Sequence, residues 1–488
     1  MFFQSFYLSC LSHASYMIAC GGEAAVVDPQ RDVEIYLEEA KQQNLRIKYV
    51  IESHLHADFV SGHHELAART GATICISDQA GAKFAHQSIH DGEMLALGSC
   101  KLQFLATPGH TPESMCIVLT DLEKSQKPWA VLTGDTLFIG DVGRPDLSPD
   151  LSPQQLAGML YDSLHTKLLA LEDDVQVFPA HGAGSLCGRN ISSERSSTIG
   201  NERRFNYALR PMSREDFVRM LTDELPERPA YFARDAEINR AGAEQMEELA
   251  PLPPLTPEKV EALTSGANAT AVLLDTRAWS DFAAAHIPGS VHIALSGQFA
   301  SWAGTLLGLD RPIVLIAEDP ERVEESRMRL ARVGIERVKG YLEGGIAAWQ
   351  HSGRAAVQAA QISVIELDRM LASGEEVQVI DVRRLAEWNS GHIAGAHLLT
   401  LGKFEPVIAQ NAAAMKEMFA GLDTALPVAV HCKSGYRSAI ATSLLERAGF
   451  TTVANILGGF DAWQSQNLPV SGTEPAAPAP AASTPATM

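Results

Sequence analysis

Residues 54–62 read HLHADFVSG. His54, His56 and Asp58 stand at alternate positions just after KYVI, an apolar run that reads as the end of a strand. Two imidazoles and a carboxylate at that spacing form a metal-binding loop. Position 59, where a further histidine would complete a site for two ions, is Phe59, which has no lone pair to donate. Three more apolar runs end in potential ligands. LQFLATPGH (102–110) delivers His110, WAVLTGD (129–135) delivers Asp135, and VQVFPAH (175–181) delivers His181. Loops at the ends of buried strands are where α/β folds place their chemistry. One histidine after a strand carries little weight; ligands at four strand ends point to a shared site.

These segments resemble the metallo-β-lactamase superfamily, which implies an αββα sandwich with metals at one edge. Two-zinc members use the full H-x-H-x-D-H loop. With Phe59 in it, the second metal position keeps only Asp58, His181 and a share of Asp135, a weak set for zinc. The first position is intact in His54, His110 and Asp135. Two imidazoles and one carboxylate with open positions are the set used by non-haem Fe(II) oxygenases. DTLFIGDVGRPDL (135–147) and STIGNERRFNYAL (197–209) add to the likeness. Over the first ~210 residues the chain therefore resembles the persulfide dioxygenases, the iron branch of the superfamily. The resemblance implies one Fe(II) per chain, with O2 and a low-molecular-weight thiol persulfide of the glutathione or coenzyme A type as substrates. It also implies that His56, Asp58 and His181 lie outside the iron's own ligands and orient them or water. Phe59 then fits a one-metal site, or is simply core packing. Cys187, in HGAGSLCGRN (181–190), is either a buried small residue or a thiol near the iron that relays sulfane sulfur. Among a concentration of arginines that includes Arg195, Arg203 and Arg204, Arg144 and Arg189 are candidates to bind an anionic thiol carrier. His63, His64, His86, His90 and His165 have no partner spacing and read as surface or core residues.

Downstream the sequence repeats itself. LLDTRAWSDFAAAHIPGSVHI (273–293) matches VIDVRRLAEWNSGHIAGAHLL (379–399), and GYLEGGIAAW (340–349) matches NILGGFDAW (455–463). The second copy holds LPVAVHCKSGYRSAIATSLLERAGF (426–450), a strand, a short loop from Cys432 and a helix. CKSGYR resembles the rhodanese active loop CxxGxR, and the resemblance extends over 361–472. Loop amides and a helix N-terminus favour the sulfur anion there. Lys433 and Arg437 add positive charge and Gly435 lets the loop curl. A thiolate so placed can carry a sulfane sulfur as a persulfide. In the first copy Ala317 stands opposite Cys432, followed by Glu318, Asp319 and Glu321, so that copy reads as an inactive spacer or docking module. Asp275 with Arg277, and Asp381 with Arg383, read as braces within each copy.

The expected fold class is α/β: an αββα metallo-β-lactamase sandwich followed by two rhodanese-like domains. The expected boundaries are 1–250 for the first domain, which takes in a helical extension from SREDFVRMLTDEL onward, then 256–355 and 361–472, with a disordered tail over 473–488. LAPLPPLTP (249–257) reads as a linker. The net charge of −20 argues against a nucleic-acid partner and against docking on an anionic membrane. No apolar run approaches the ~18 residues of a membrane span. The N-terminal residues read as a β-hairpin, not a signal peptide. Seven scattered cysteines without a CxxC pair fit reduced, cytoplasmic thiols. The resemblance further implies a homo-oligomer. The expected activity is oxidation of a persulfide to sulfite at mononuclear Fe(II), coupled to sulfane-sulfur transfer through Cys432 that forms or consumes thiosulfate. The alternatives are a dinuclear zinc thioester hydrolase of the glyoxalase type fused to a sulfurtransferase, or a sulfur-relay protein without turnover.

Overall fold

The N-terminal residues do form a hairpin: Phe2–Leu8 pairs antiparallel with His13–Cys20, from Phe2 opposite Ala19 to Leu8 opposite His13. Glu23–Val27 continues the meander, and Arg46–Ile51, Thr73–Ser77 and Gln87–Ile89 then add in parallel. A second six-stranded sheet runs in the order Ser197–Thr198, Gln176–Pro179, Ala130–Gly134, Met115–Asp121, Cys100–Ala106, Met94–Leu97. Side chains alternate between the faces of a strand, and both faces here are covered. Tyr16 and Ile18 point inward against Phe104, Ile117 and Leu132 of the other sheet. Met17 and Ala19 point outward onto Tyr36 and Leu66, in helices Glu34–Gln42 and His63–Thr70. On the far side, Val118 and Val131 are buried with Leu160 and Phe217, in helices Pro153–Ser163 and Arg214–Thr222. The sequence starts the first of these plainly: Ser152 caps the Gln155 amide, the Gln155 side chain returns to the Ser152 amide, and Pro153 fills the first turn. The result is an αββα sandwich.

The computed structural model describes residues 1–223, 225, 227–246, 251–266 and 269–472; the expected tail and positions 249 and 250 of the expected linker lie outside the described residues. The chain divides into two compact units. The first holds Met1–Leu252 together with Gln298–Asp310 and Glu324–Arg337. Helix Phe299–Leu307 and most of helix Pro320–Ala331 therefore fold with the sandwich, although by sequence they belong to the first repeat.

The second unit carries two five-stranded sheets of one plan. Their orders are Pro254–Leu255, Val338–Leu342, Ile313–Ile316, Val272–Asp275, Val291–His292, and Ala360–Ile362, Val453–Ile456, Val428–His431, Gln378–Asp381, His397–Leu398. Every pairing in both is parallel. Strands covered on both faces read as unbroken apolar runs, as IVLI and VAV do here. Among the described residues no helix is long and apolar enough to cross a membrane.

Candidate metal centre and sulfur-transfer loop

Residues 54–62 have no regular secondary structure, yet all are buried. The strand Arg46–Ile51 ends just before them. His110 follows strand Cys100–Ala106, Asp135 follows Ala130–Gly134, and His181 follows Gln176–Pro179. The four strand ends meet at one edge of the sandwich. His54, His110 and Asp135 each offer a ligand atom within 4.8 Å of the others. His110 Nε2 lies 3.3 Å from Asp135 Oδ2, and His54 Nε2 lies 3.9 Å from it.

These three atoms are buried and have no hydrogen-bond partner among the described residues. Buried polar atoms are rarely left so. The opposite atom of each side chain is engaged. His110 Nδ1 donates to the Arg144 carbonyl at 3.0 Å. His54 Nδ1 lies 3.0 Å from Ser53 Oγ, and Asp135 Oδ1 accepts a hydrogen bond from His181 Nδ1 at 2.8 Å. The network assigns the His110 proton to Nδ1 and leaves the Nε2 lone pair for a metal. Burial depresses His54 and His110, keeping both imidazoles neutral as ligation requires. Burial alone would raise the Asp135 carboxyl, but the charge of His181 and its hydrogen bond outweigh it and hold it well below its usual range. Two neutral imidazoles and one ionised carboxylate fit a single divalent ion with open positions.

The other histidines of the motif face elsewhere. His181 Nε2 lies 2.9 Å from Asp58 Oδ2. Burial works against charge on His181, yet the flanking Asp135 and Asp58 raise it well above the ordinary histidine value. His56 turns its Nε2 toward Asp28 Oδ1 at 3.3 Å and Glu52 Oε2 at 3.9 Å. Phe59 is fully buried, its ring centroid 4.4 Å from that of His56 and 4.2 Å from that of His13. The structure brings Cys187 to this centre: its sulfur is within 4.8 Å of ligand atoms of Asp58 and His181. Burial first, then the charges of Asp58 and Asp135, push its thiol well up, so it stays protonated.

The two candidate anion-binding arginines are both engaged within the fold, Arg144 buried and Arg189 exposed at the surface. Arg144 is buried, with Nε 2.6 Å and Nη2 2.8 Å from the Asp146 carboxylate. Arg189 Nη2 donates to the Leu221 carbonyl at 2.7 Å, closing the end of helix Arg214–Thr222. His63 is fully buried against Glu52, with Nδ1 3.8 Å from Oε1. Sequence reasoning misses Asp28, Glu52 and Asn239. Asp28 has a signal, since it directly follows the strand Glu23–Val27 in AVVDP, as the ligands follow theirs.

In the second unit Cys432 follows strand Val428–His431 and helix Tyr436–Arg447 begins four residues on. The sulfur is buried and accepts the Gly435 amide at 3.1 Å and the Ser438 hydroxyl at 3.5 Å. Donors aimed at sulfur stabilise the thiolate. Arg437 pairs with both oxygens of Glu387 at 2.7 Å, whereas Lys433 is exposed. The turn of NILGGF closes on the loop: the Phe460 and Asp461 amides donate to the Cys432 and Lys433 carbonyls at 2.8 and 2.9 Å. Ala317 directly follows the equivalent strand of the first repeat, Ile313–Ile316. Arg277 and Arg383 fold back on Asp275 and Asp381, each at 2.6 Å.

The rhodanese-like domain model matches residues 256–352 and 363–466, and the metallo-β-lactamase superfamily model matches residues 8–98. The mitochondrial persulfide dioxygenase of Bos taurus is 33% identical over 205 residues, 41% of this chain and 71% of that protein. The chain belongs to the persulfide dioxygenase branch of the metallo-β-lactamase superfamily, fused to two rhodanese-like domains. A crystal structure titled metallo-β-lactamase from Staphylococcus aureus is similar to most of the fusion. It is 32% identical, covers 70% of this chain and 98% of its own, and has a TM-score of 0.63. A hydroxyacylglutathione hydrolase of Polaromonas is 27% identical over 242 residues, 44% of this chain and 87% of that protein. The fusion is an α/β enzyme of sulfur metabolism with a potential His/Asp metal site.

Proposed function

We propose that the fusion oxidises a low-molecular-weight persulfide, carried on glutathione or coenzyme A, to sulfite, and moves sulfane sulfur through Cys432. The observation that carries the reading is the convergence of three buried, unpartnered atoms, His54 Nε2, His110 Nε2 and Asp135 Oδ2, beside a phenyl ring where a second metal would need a ligand. One Fe(II) per chain, bound there, would supply redox chemistry with dioxygen. The protein's own groups do the rest. Arg144 through its carbonyl and Ser53 through its hydroxyl orient the two imidazoles. His181, between Asp135 and Asp58, holds a proton next to the Asp135 carboxylate of the metal set. Phe59 and His13 close one side against water. The overall reaction is RSSH + O2 + H2O → RSH + SO3²⁻ + 2H⁺.

Cys432 carries the second step. Its persulfide transfers the outer sulfur to sulfite, the S–S bond breaks, and the thiolate is left on the loop amides: Cys432–SS⁻ + SO3²⁻ → Cys432–S⁻ + S2O3²⁻. The same loop serves the reverse direction. Cys187, buried beside Asp58 and His181, is either a sulfur relay near the metal or a buried small residue; oxygen uptake by Cys187→Ala separates the two.

The test is metal analysis of anaerobically purified protein together with oxygen uptake on glutathione persulfide. About one iron per chain with oxygen uptake is expected. The hydrolase match supports a second reading, a dinuclear zinc thioesterase. A dinuclear zinc protein without oxygen uptake would establish that reading instead. Steady-state thiosulfate formation that needs Cys432 excludes a relay protein without turnover.

A further inference from the structure

The metal loop raises a question of backbone bookkeeping. Residues 54–62 are buried and form neither helix nor strand, so their amides and carbonyls need partners from elsewhere. Several partners lie far along the chain. Asn239, in helix Phe232–Ala241, donates from Nδ2 to the His56 and Phe59 carbonyls, each at 2.8 Å. Its Oδ1 accepts the Ser61 amide at 2.8 Å. The Val60 amide donates to the Arg332 carbonyl at 2.7 Å. Arg332 directly follows helix Pro320–Ala331 of the cysteine-free repeat, where a helix leaves its last carbonyls without internal partners. The Arg332 guanidinium forks onto Asp32 at 3.0 and 2.8 Å, which fixes that carbonyl over the loop.

We infer that Asn239 and the segment Glu324–Arg337, which by sequence belongs to the cysteine-free repeat and folds with the sandwich, serve as the scaffold of the metal centre, with Asn239 and Arg332 as positioning residues for His54. This rests on the metal reading above. The mechanical link is a stack of rings. Phe59 packs on His56 at 4.4 Å between centroids, and His56 packs on His54 at 4.1 Å. Fixing the backbone at His56, Phe59, Val60 and Ser61 fixes the stack, and the stack aims His54 Nε2 at Asp135. Asn239 is fully buried and uses both amide protons and its oxygen. Leucine has its shape and none of its polar atoms; aspartate keeps the acceptor and loses both donors. The helix Phe232–Ala241 is itself held against the repeat: a Cβ at Gly334 would lie 2.7 Å from Asp235 Oδ1, and Gly334 has φ +70, so only glycine lets the chain turn there.

The test uses the full chain and Co(II), whose absorption reports ligand geometry. Apoprotein of the wild type, Asn239→Leu, Asn239→Asp and Arg332→Ala is titrated with Co(II), and sulfur transfer at Cys432 and thermal unfolding are measured in parallel. Loss of a partner that orients a metal-binding loop weakens metal affinity by about 10–100-fold. Asn239→Leu is expected to fall in that range with an altered absorption band and Cys432 turnover unchanged. Asn239→Asp and Arg332→Ala are expected to fall between it and the wild type. If Asn239→Leu does not fold, Asn239→Asp and Arg332→Ala decide by the same readouts. Wild-type affinity and an unaltered band in the folded variants would overturn the inference while leaving the metal reading intact. A wild type that binds no Co(II) would remove both.

Discussion

At the scale of single residues, Phe59 is the position at which the proposed count of one metal ion is tested. Asp58 Oδ2 and His181 Nε2 lie 2.9 Å apart with the Cys187 sulfur within 4.8 Å, three potential ligands of a second ion that still lacks a fourth. A tetrahedral zinc site needs that ligand, and a phenyl ring withholds it. Phe59→His is therefore expected to raise the zinc content of zinc-loaded protein from about one toward two ions per chain. Metal analysis after dialysis checks this; a ratio that stays near one would mean that the ring does not set the count. Cys432 and Asp135 give a second, paired prediction. Cys432→Ser is expected to abolish sulfur transfer and leave oxygen uptake intact, because the thiol is the only group on its loop that can carry sulfur. Asp135→Asn removes the one charged ligand from a buried set and is expected to lower metal content and oxygen uptake while sulfur transfer persists. Coupled loss of both activities in either variant would contradict two separate centres.

At the scale of elements, the loop at Cys432 depends on a turn almost thirty residues later. Gly459 has φ +57, and a Cβ there would lie 2.5 Å from the Cys432 carbonyl oxygen and 2.7 Å from that of Lys433. The left-handed conformation alone costs a side chain ~1–2 kcal/mol, and overlap with two backbone oxygens adds to it. Gly459→Ala is expected to destabilise the protein by at least that amount in urea unfolding and to slow sulfur transfer, while Gly374→Ala, at φ +74 with nothing within 4 Å of a Cβ, serves as a control for the conformational cost alone. Elements also mark where the sequence is legible. His54, His110, Asp135 and His181 can be found because a buried strand carries its next residues to the sheet edge. The repeat can be found because Asp275 and Asp381, or His286 and His392, recur at one spacing. Asp28 follows the same rule but precedes a proline, and a lone Asp-Pro reads as a turn. Asn239 leaves no trace, since its partners lie 178 to 183 residues away and no period encodes that. Nor does any pattern show that helices Phe299–Leu307 and Pro320–Ala331 fold with the sandwich. Amphipathic spacing tells which face of a helix is apolar, not what covers it.

At the scale of the whole molecule, buried neutral histidines set the response to acid, and His292 isolates one such contribution away from the metal centre. It ends the strand Val291–His292, is fully buried, and donates from Nε2 to the Arg277 carbonyl at 3.0 Å. Its Nδ1 has no partner. Burial pushes its value down to about 4, against a smaller opposing pull from Asp275. An unfolded chain takes up this proton near pH 6.5, whereas the folded chain resists until about pH 4. Between those values the unfolded state binds more protons, so stability falls as pH falls, by up to ~1.4 kcal/mol per pH unit for this group. Over the window the loss approaches roughly 3 kcal/mol. The second repeat has Leu398 at the matching register, opposite Asp381 as His292 is opposite Asp275. His292→Leu is then expected to be less stable than the wild type at pH 7 by ~1–3 kcal/mol, because the Arg277 carbonyl loses its donor. The deficit should shrink steadily below pH 6.5 and close or reverse near pH 4.5, since the variant has no proton to take up. Urea unfolding of both proteins across pH 4.5–7.5 measures the difference directly. Parallel curves would mean that His292 takes up its proton equally in the folded and unfolded states, and a deficit that grows as pH falls would mean a protonated imidazole in the folded state; either would overturn the assignment of a buried neutral imidazole.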